Sequence, residues 1–214
     1  MGYFTIKNEA MAEFEEKKSV FIGHALRVYD ENEARMFINR VKGEHKEARH
    51  NVYAYVIGEN MGIQRYSDDG EPQGTAGIPV LDAIRKIGIT DVAVVVTRYF
   101  GGVLLGKGGL VRAYSKAASA AIKEGIIVER VQGAPLTITL DYEGLGKLQY
   151  LFEQSGWFIE DTVYTDKVEV MTYCELDKIQ EVSEKINETL NGRCVISEGD
   201  PEMFFKNEKG KLNL

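Results

Sequence analysis

The stretch DVAVVVTRYFGGVLLGKGGLVRAYSKAASAAIKEG, residues 91–125, governs how the first half of the chain folds. Its opening run, Asp91 to Tyr99, is dominated by β-branched residues, the composition of a strand buried on both faces. Its close, from Leu110 to Gly125, is alanine-rich and ends on glycine, the pattern of a helix with a C-terminal stop. Between them stand Gly101, Gly102, Gly106, Gly108 and Gly109. A strand, a glycine-rich loop and a helix start aim backbone N–H groups and the helix dipole at an anion.

The loop comes close to a nucleotide-binding P-loop, with Gly101, four residues, Gly106 and Lys107 in register. That motif continues with a hydroxyl that holds Mg²⁺, and here Gly108 takes its place, which disfavours a magnesium-nucleotide enzyme of that class. The dinucleotide fingerprint also fails, because Val111 stands where its third glycine belongs. What survives is an anion-binding loop flanked by cations. Arg112 and Lys116, four apart, share a helical face. Lys107 lies in the loop, and Arg98 near the end of the strand. The expected binding set is therefore Arg98, Gly102, Gly106, Lys107, Gly108, Gly109, Arg112 and Lys116. Tyr99, Phe100 and Tyr114 suit base stacking as well as core packing, and Phe100 reads as core.

Charge points the same way. The net charge of −7 over 214 residues is uneven: residues 1–133 carry 18 Lys and Arg against 17 Asp and Glu, residues 134–214 only 8 against 16. Between Arg85 and Arg130 there are 8 basic residues and 3 acidic ones. A locally basic segment in an acidic chain fits focal anion binding rather than wholesale coating of nucleic acid, and no DNA sequence specificity is expected. A solvated helix face would look the same by charge alone. No apolar run approaches membrane-spanning length and no secretory h-region opens the chain, so a cytoplasmic protein is expected. Cys174 and Cys194 lack metal-binding spacing and read as reduced core residues.

On the N-terminal side of this stretch, YFTIK and SVFIGHALRV read as strands. Asp30 with Glu33 forms a capping box before a helix whose apolar side carries Met36, Phe37 and Val41. NVYAYVIG and IQRYSD form a hairpin about residues 59–62, and VLDAIRKIG is a helix from near Pro79 to Gly88. Pattern and charge both change at Gly133–Ala134, so the domains are placed at 1–133 and 134–214. Beyond that boundary, strand, helix, two strands, helix and a closing strand follow in the ferredoxin-like βαββαβ order. The fold class is α+β.

The second unusual stretch is YSDDGEPQGTAGIP, residues 66–79. Asp68, Asp69 and Glu71 are oxygen donors of the type a hard cation favours, yet the spacing matches no EF-hand, and clustered acids more often solvate a loop. His50 stands at a strand entrance; a lone histidine there serves catalysis or structure equally. No nucleophile-elbow setting surrounds Ser67, Thr75 or Ser115. His50, Asp68, Asp69 and Glu71 are thus the only catalytic candidates, with no metal site and no cofactor indicated.

Four blocks taken together, KKSVFIGHA, ARHNVYAYVIG, SDDGEPQGTAGIPVLDAI and VVVTRYFGGVLLGKGGLVRAYSKAA, resemble the IMPACT/YigZ family in order from Lys17 to Ala118. The second half is similar to the smaller domain of bacterial two-domain members. The family pattern falls on His50, residues 68–72, Thr75, Gly77, residues 98–102, Gly106, Gly109, Leu110, Arg112, Ala113 and Tyr114, with no departure. The resemblance implies a first domain like the second domain of ribosomal protein S5 and a second like domain V of elongation factor G. It also implies a link to translation. Eukaryotic relatives restrain the amino-acid-starvation kinase by competing for its ribosome-associated activator, a role that depends on an additional RWD domain. For bacterial members the implied partner is RNA or a ribosome-associated protein, without a membrane. The alternative is an enzyme or sensor acting on a phosphorylated small molecule at the same loop.

Overall fold

The computed structural model describes residues 2–213, which divide into two compact units: residues 3–128, and residues 129–213 with Gly2. In the first unit the elements are β1 (Tyr3–Ile6), β2 (Ala10–Glu16), β3 (Ser19–Arg27), α1 (Glu31–Glu44), β4 (His50–Ile57), β5 (Ile63–Ser67), α2 (Gly77–Ile87), β6 (Val92–Tyr99) and α3 (Gly106–Glu124). Five strands form an antiparallel sheet in the order β2-β3-β6-β4-β5. Strand β6 is central, and its side chains alternate between two cores, as pleating requires. Val92, Val94 and Val96 pack with α2 and α3, whereas Ala93 and Val95 pack with α1. Coverage of both faces explains the unbroken apolar run.

Helix α1 starts where its sequence asks. The Asp30 carboxylate accepts from the Asn32 and Glu33 N–H groups, and Glu33 accepts in return from the Tyr29 N–H. Its buried side is Ala34, Phe37, Ile38 and Val41; Met36, expected on that side, is 72% exposed because it lies about 100° round the helix from Phe37. Helix α2 ends at Gly88 in the left-handed conformation. Strand β2 has no counterpart among the elements read from sequence. It pairs with β3 through a two-residue turn, Lys17-Lys18, that carries none of the usual turn residues.

The second unit is built on β7 (Ile127–Leu140), followed by α4 (Tyr142–Ser155), β8 (Asp161–Tyr164), β9 (Val168–Glu175), α5 (Ile179–Thr189), β10 (Cys194–Glu198), β11 (Glu202–Lys206) and β12 (Leu212–Asn213). Strands β10, β7, β9 and β8 lie side by side in that order, all antiparallel. This is the strand order of a split βαβ unit. Helices α4 and α5 supply Leu148, Phe152, Val182 and Ile186 to a core with Leu136, Ile138, Val168 and Val170. The single closing strand expected from RCVISEGDPEMFF is two strands, which pair with successive halves of β7 on either side of Pro201. Proline cannot extend a ladder from within, so the break falls beside it. Cys174 and Cys194 are free thiols, the first buried and the second partly exposed. No helix among the described residues is long and apolar enough to cross a membrane.

Candidate nucleic-acid interface

Two adjoining features occupy the region around β6 and α3: a buried polar cluster built by the acidic loop, and an exposed basic groove beside the helix start. The cluster accounts for SDDGEPQGTAG. Asp68 caps α2 from outside the helix, its carboxylate accepting from the N–H groups of Gly74, Ala76 and Gly77 at 2.9, 3.0 and 2.8 Å. Asp69 accepts from the Asn51 N–H of β4 at 2.6 Å and pairs with Lys42 of α1 at 2.8 Å. Its carbonyl accepts from His50 Nδ1 at 2.8 Å. That bond leaves His50 Nε2 facing Glu71 Oε1 at 3.9 Å. All three candidate acids are therefore engaged, and none lines the groove beside α3. The described residues contain no group of three or more His, Cys, Asp or Glu able to hold a metal ion.

Glu71 is the centre of the cluster. Its Oε1 takes a 2.6 Å bond from the Arg98 guanidinium and a 2.8 Å bond from the Tyr114 hydroxyl, both buried. Burial and the Glu71 carboxylate push the Tyr114 phenol far up, so it stays a donor at every physiological pH. Arg98 is only 5% exposed, sandwiched between the rings of Phe21 and Phe100, each 5.4 Å from its guanidinium carbon. Removing one partner of such a pair leaves an uncompensated buried charge, which costs about 3–5 kcal/mol. Arg98, expected among the phosphate contacts, thus sits beneath the surface and ties β6 to the acidic loop and α3. Phe100, read as core, is 37% exposed, because its ring packs against the guanidinium groups of Arg98 and Arg49 rather than in the apolar core.

The remaining expected cations are exposed. Gly102 lies in the loop, while Gly106, Lys107, Gly108 and Gly109 form the first turn of α3. The N-cap of α3 is Leu105, whose side chain makes no capping bond, and no acidic residue stands in the first turn. The helix start therefore keeps its positive end uncompensated by any capping side chain. One turn on, Arg112 and Lys116 line a groove of about 240 Å³ between α3 and the β2–β3 hairpin. The facing wall is Phe14, Glu16 and Lys17, and the floor is Leu105, Gly109 and Ala113. Lys116 Nζ rests 4.1 Å from the centre of the Phe14 ring, which stacks parallel on Phe21 at 5.5 Å. Three cations and a helix start without a side-chain cap are gathered in one depression with a single acid, Glu16, a combination suited to holding a phosphate chain.

Comparison with known proteins agrees with this architecture. The Impact N-terminal domain profile matches residues 17–122, and a domain of unknown function, DUF1949, matches residues 138–193. The chain is 43% identical over 199 residues to IMPACT family member YvyE of Bacillus subtilis, covering 93% of this chain and 92% of that protein. The chain belongs to the IMPACT family. IMPACT family member YigZ of Escherichia coli is 33% identical over 178 residues, covering 82% and 87% of the two chains. A crystal structure described as that of a hypothetical protein superposes with a TM-score of 0.60 at 30% identity, covering 91% of this chain and 96% of its own.

In this IMPACT-family chain, Phe14 and Lys17 are the groove residues that sequence reading missed. Both come from the unforeseen β2 hairpin, nearly a hundred residues before α3. The one available signal was the paired lysine of FEEKKS, which marks an exposed turn between two alternating runs.

Proposed function

We propose that this IMPACT-family protein is a translation-associated, cytoplasmic regulator that binds RNA, free or within the ribosome, through the basic groove beside α3. The observation that carries the reading is the convergence of Lys17, Arg112 and Lys116 on one groove with Phe14, at a helix start without a side-chain cap. Lys107 extends the basic surface along the first turn, and the N–H groups of Gly108 and Gly109 supplement it. The reading is supported by likeness of plan: the first unit is taken as related to the second domain of ribosomal protein S5, the second to domain V of elongation factor G. Fold likeness alone would not carry a function; the groove supplies the site. Chemistry on a small phosphorylated molecule receives less support, because the candidate acids of residues 68–71 are consumed by the polar cluster and do not reach the groove, whose one carboxylate is the exposed Glu16 of the hairpin.

The test is a fluorescence-polarisation titration with a structured RNA at low salt. The wild type is expected to bind with micromolar affinity, and Arg112→Ala with Lys116→Ala to weaken binding at least about tenfold. Absence of RNA binding by the wild type at low salt would overturn the reading.

A further inference from the structure

The glycine loop ends in an apolar apex that neither the sheet nor the helices use. Leu104 is 81% exposed and Val103 is 39% exposed, beside the basic groove of Lys17, Arg112 and Lys116. The apex is held out between two fixed points. On one side the Gly101 N–H donates to Ser19 Oγ at 3.2 Å, and a side chain at Gly101 would collide with the carbonyl of Lys18. On the other, Leu105 is buried in the core of the first unit. Between them, Gly102 and Gly106 adopt φ of +82° and +71°, a region that glycine enters without strain. The loop is thus built to present Leu104 outward rather than to bury it.

Residues next to this apex carry cations. The Lys18 backbone lies against Gly101, Arg49 stacks on Phe100, Lys107 and Arg112 follow in α3, and Lys17 shares the groove with Leu105. An aliphatic tip has no donor or acceptor with which to read a base edge. It can enter a base step and unstack it while neighbouring cations hold the phosphates on either side. We propose that Leu104 is a wedge that inserts between bases of an RNA held by the basic groove, and that the protein therefore prefers a bulged site to a continuous duplex. This rests on the RNA-binding reading and adds a substrate preference to it. A bulge has already lost the stacking that the wedge must otherwise break, so its energy goes into binding.

The experiment uses two hairpin RNAs that differ by one bulged nucleotide, with 2-aminopurine beside the bulge or at the equivalent paired position. The wild type is expected to favour the bulged hairpin about tenfold and to raise its 2-aminopurine fluorescence on binding. Leu104→Ala should abolish both the preference and the fluorescence rise, yet keep affinity for the continuous hairpin, its salt dependence and the thermal midpoint. Arg112→Ala should weaken both hairpins alike. If Leu104→Ala retains the bulge preference and the fluorescence change, the wedge is wrong while RNA binding stands. Equal binding of the two hairpins by the wild type would also exclude the wedge and leave RNA binding intact. If the wild type binds neither hairpin at low salt, the RNA-binding reading falls and the wedge with it.

Discussion

Lys17 and Lys18 occupy the two central positions of the β2–β3 turn with φ of +49° and +65°. Two-residue hairpin turns of this kind favour Asn-Gly, and a lysine in the left-handed region costs of order 1 kcal/mol. Lysine at a glycine position indicates a use beyond folding, and Lys17 faces Arg112 and Lys116 across the groove. Replacing the pair by Asn-Gly should therefore stabilise the protein by about 1 kcal/mol and weaken RNA binding severalfold, measured by urea unfolding and by polarisation. A variant that gains stability and keeps full affinity would remove Lys17 from the interface. Among single residues, legibility in the sequence tracks distance along the chain. Arg112 and Lys116 are readable because four residues of helix place them on one face. Phe14 and Lys17 are not, because only the folded sheet brings β2 against α3. Arg98 defeats sequence reading for a related reason: its exposure depends on Glu71, and nothing local in TRYFGG reveals that a carboxylate 27 residues earlier reaches it.

Elements with strong local signals are readable and those without are not. The continuous valine run of β6, the capping box of α1 and the glycine stop of α2 each state their structure locally. Strand β2, AMAEFEE, is half-buried, acidic and followed by a turn without Gly or Asn, so its pairing with β3 has no local cue. The packing of α1 on the sheet holds another feature that periodicity does not show. His24 of β3 is 7% exposed, its ring 5.0 Å from that of His45 at the end of α1, and its Nε2 has no hydrogen-bond partner. Burial lowers its pKa to about 4, aided by His45 and Arg40 and opposed by Glu44 and Glu9. The folded state thus holds this imidazole neutral, whereas the unfolded chain takes up a proton below about pH 6.5. Stability from this site is complete above about pH 6.5 and is lost as pH falls towards 4, by about 3 kcal/mol in all. Urea unfolding between pH 7 and pH 4 should show this loss in the wild type and a flatter profile in His24→Leu. Parallel profiles would contradict the assignment.

Across the full chain, charge and architecture separate the two units. Residues 3–128 hold 17 Lys and Arg against 16 Asp and Glu, and residues 129–214 hold 9 against 17. With a net charge of −7 overall, the whole chain does not attract a polyanion at long range, so the proposed RNA binding rests on contacts inside the groove. The βαββαβ order of the second half is legible because each helix and strand there has its own period and a glycine or turn at its end. The site is legible only as a basic loop and helix, since half of its walls come from a hairpin that the sequence does not announce. The proposed RNA binding rests on four cations, Lys17, Arg112 and Lys116 in the groove and Lys107 in the first turn of α3, and affinity as a function of salt counts those contacts. A log–log plot for single-stranded RNA should have a slope of about −3 in the wild type, from about −0.7 for each of four phosphate contacts, and about −1.5 once Arg112→Ala and Lys116→Ala are combined. A wild-type slope near zero, or one unchanged in the double variant, would contradict it.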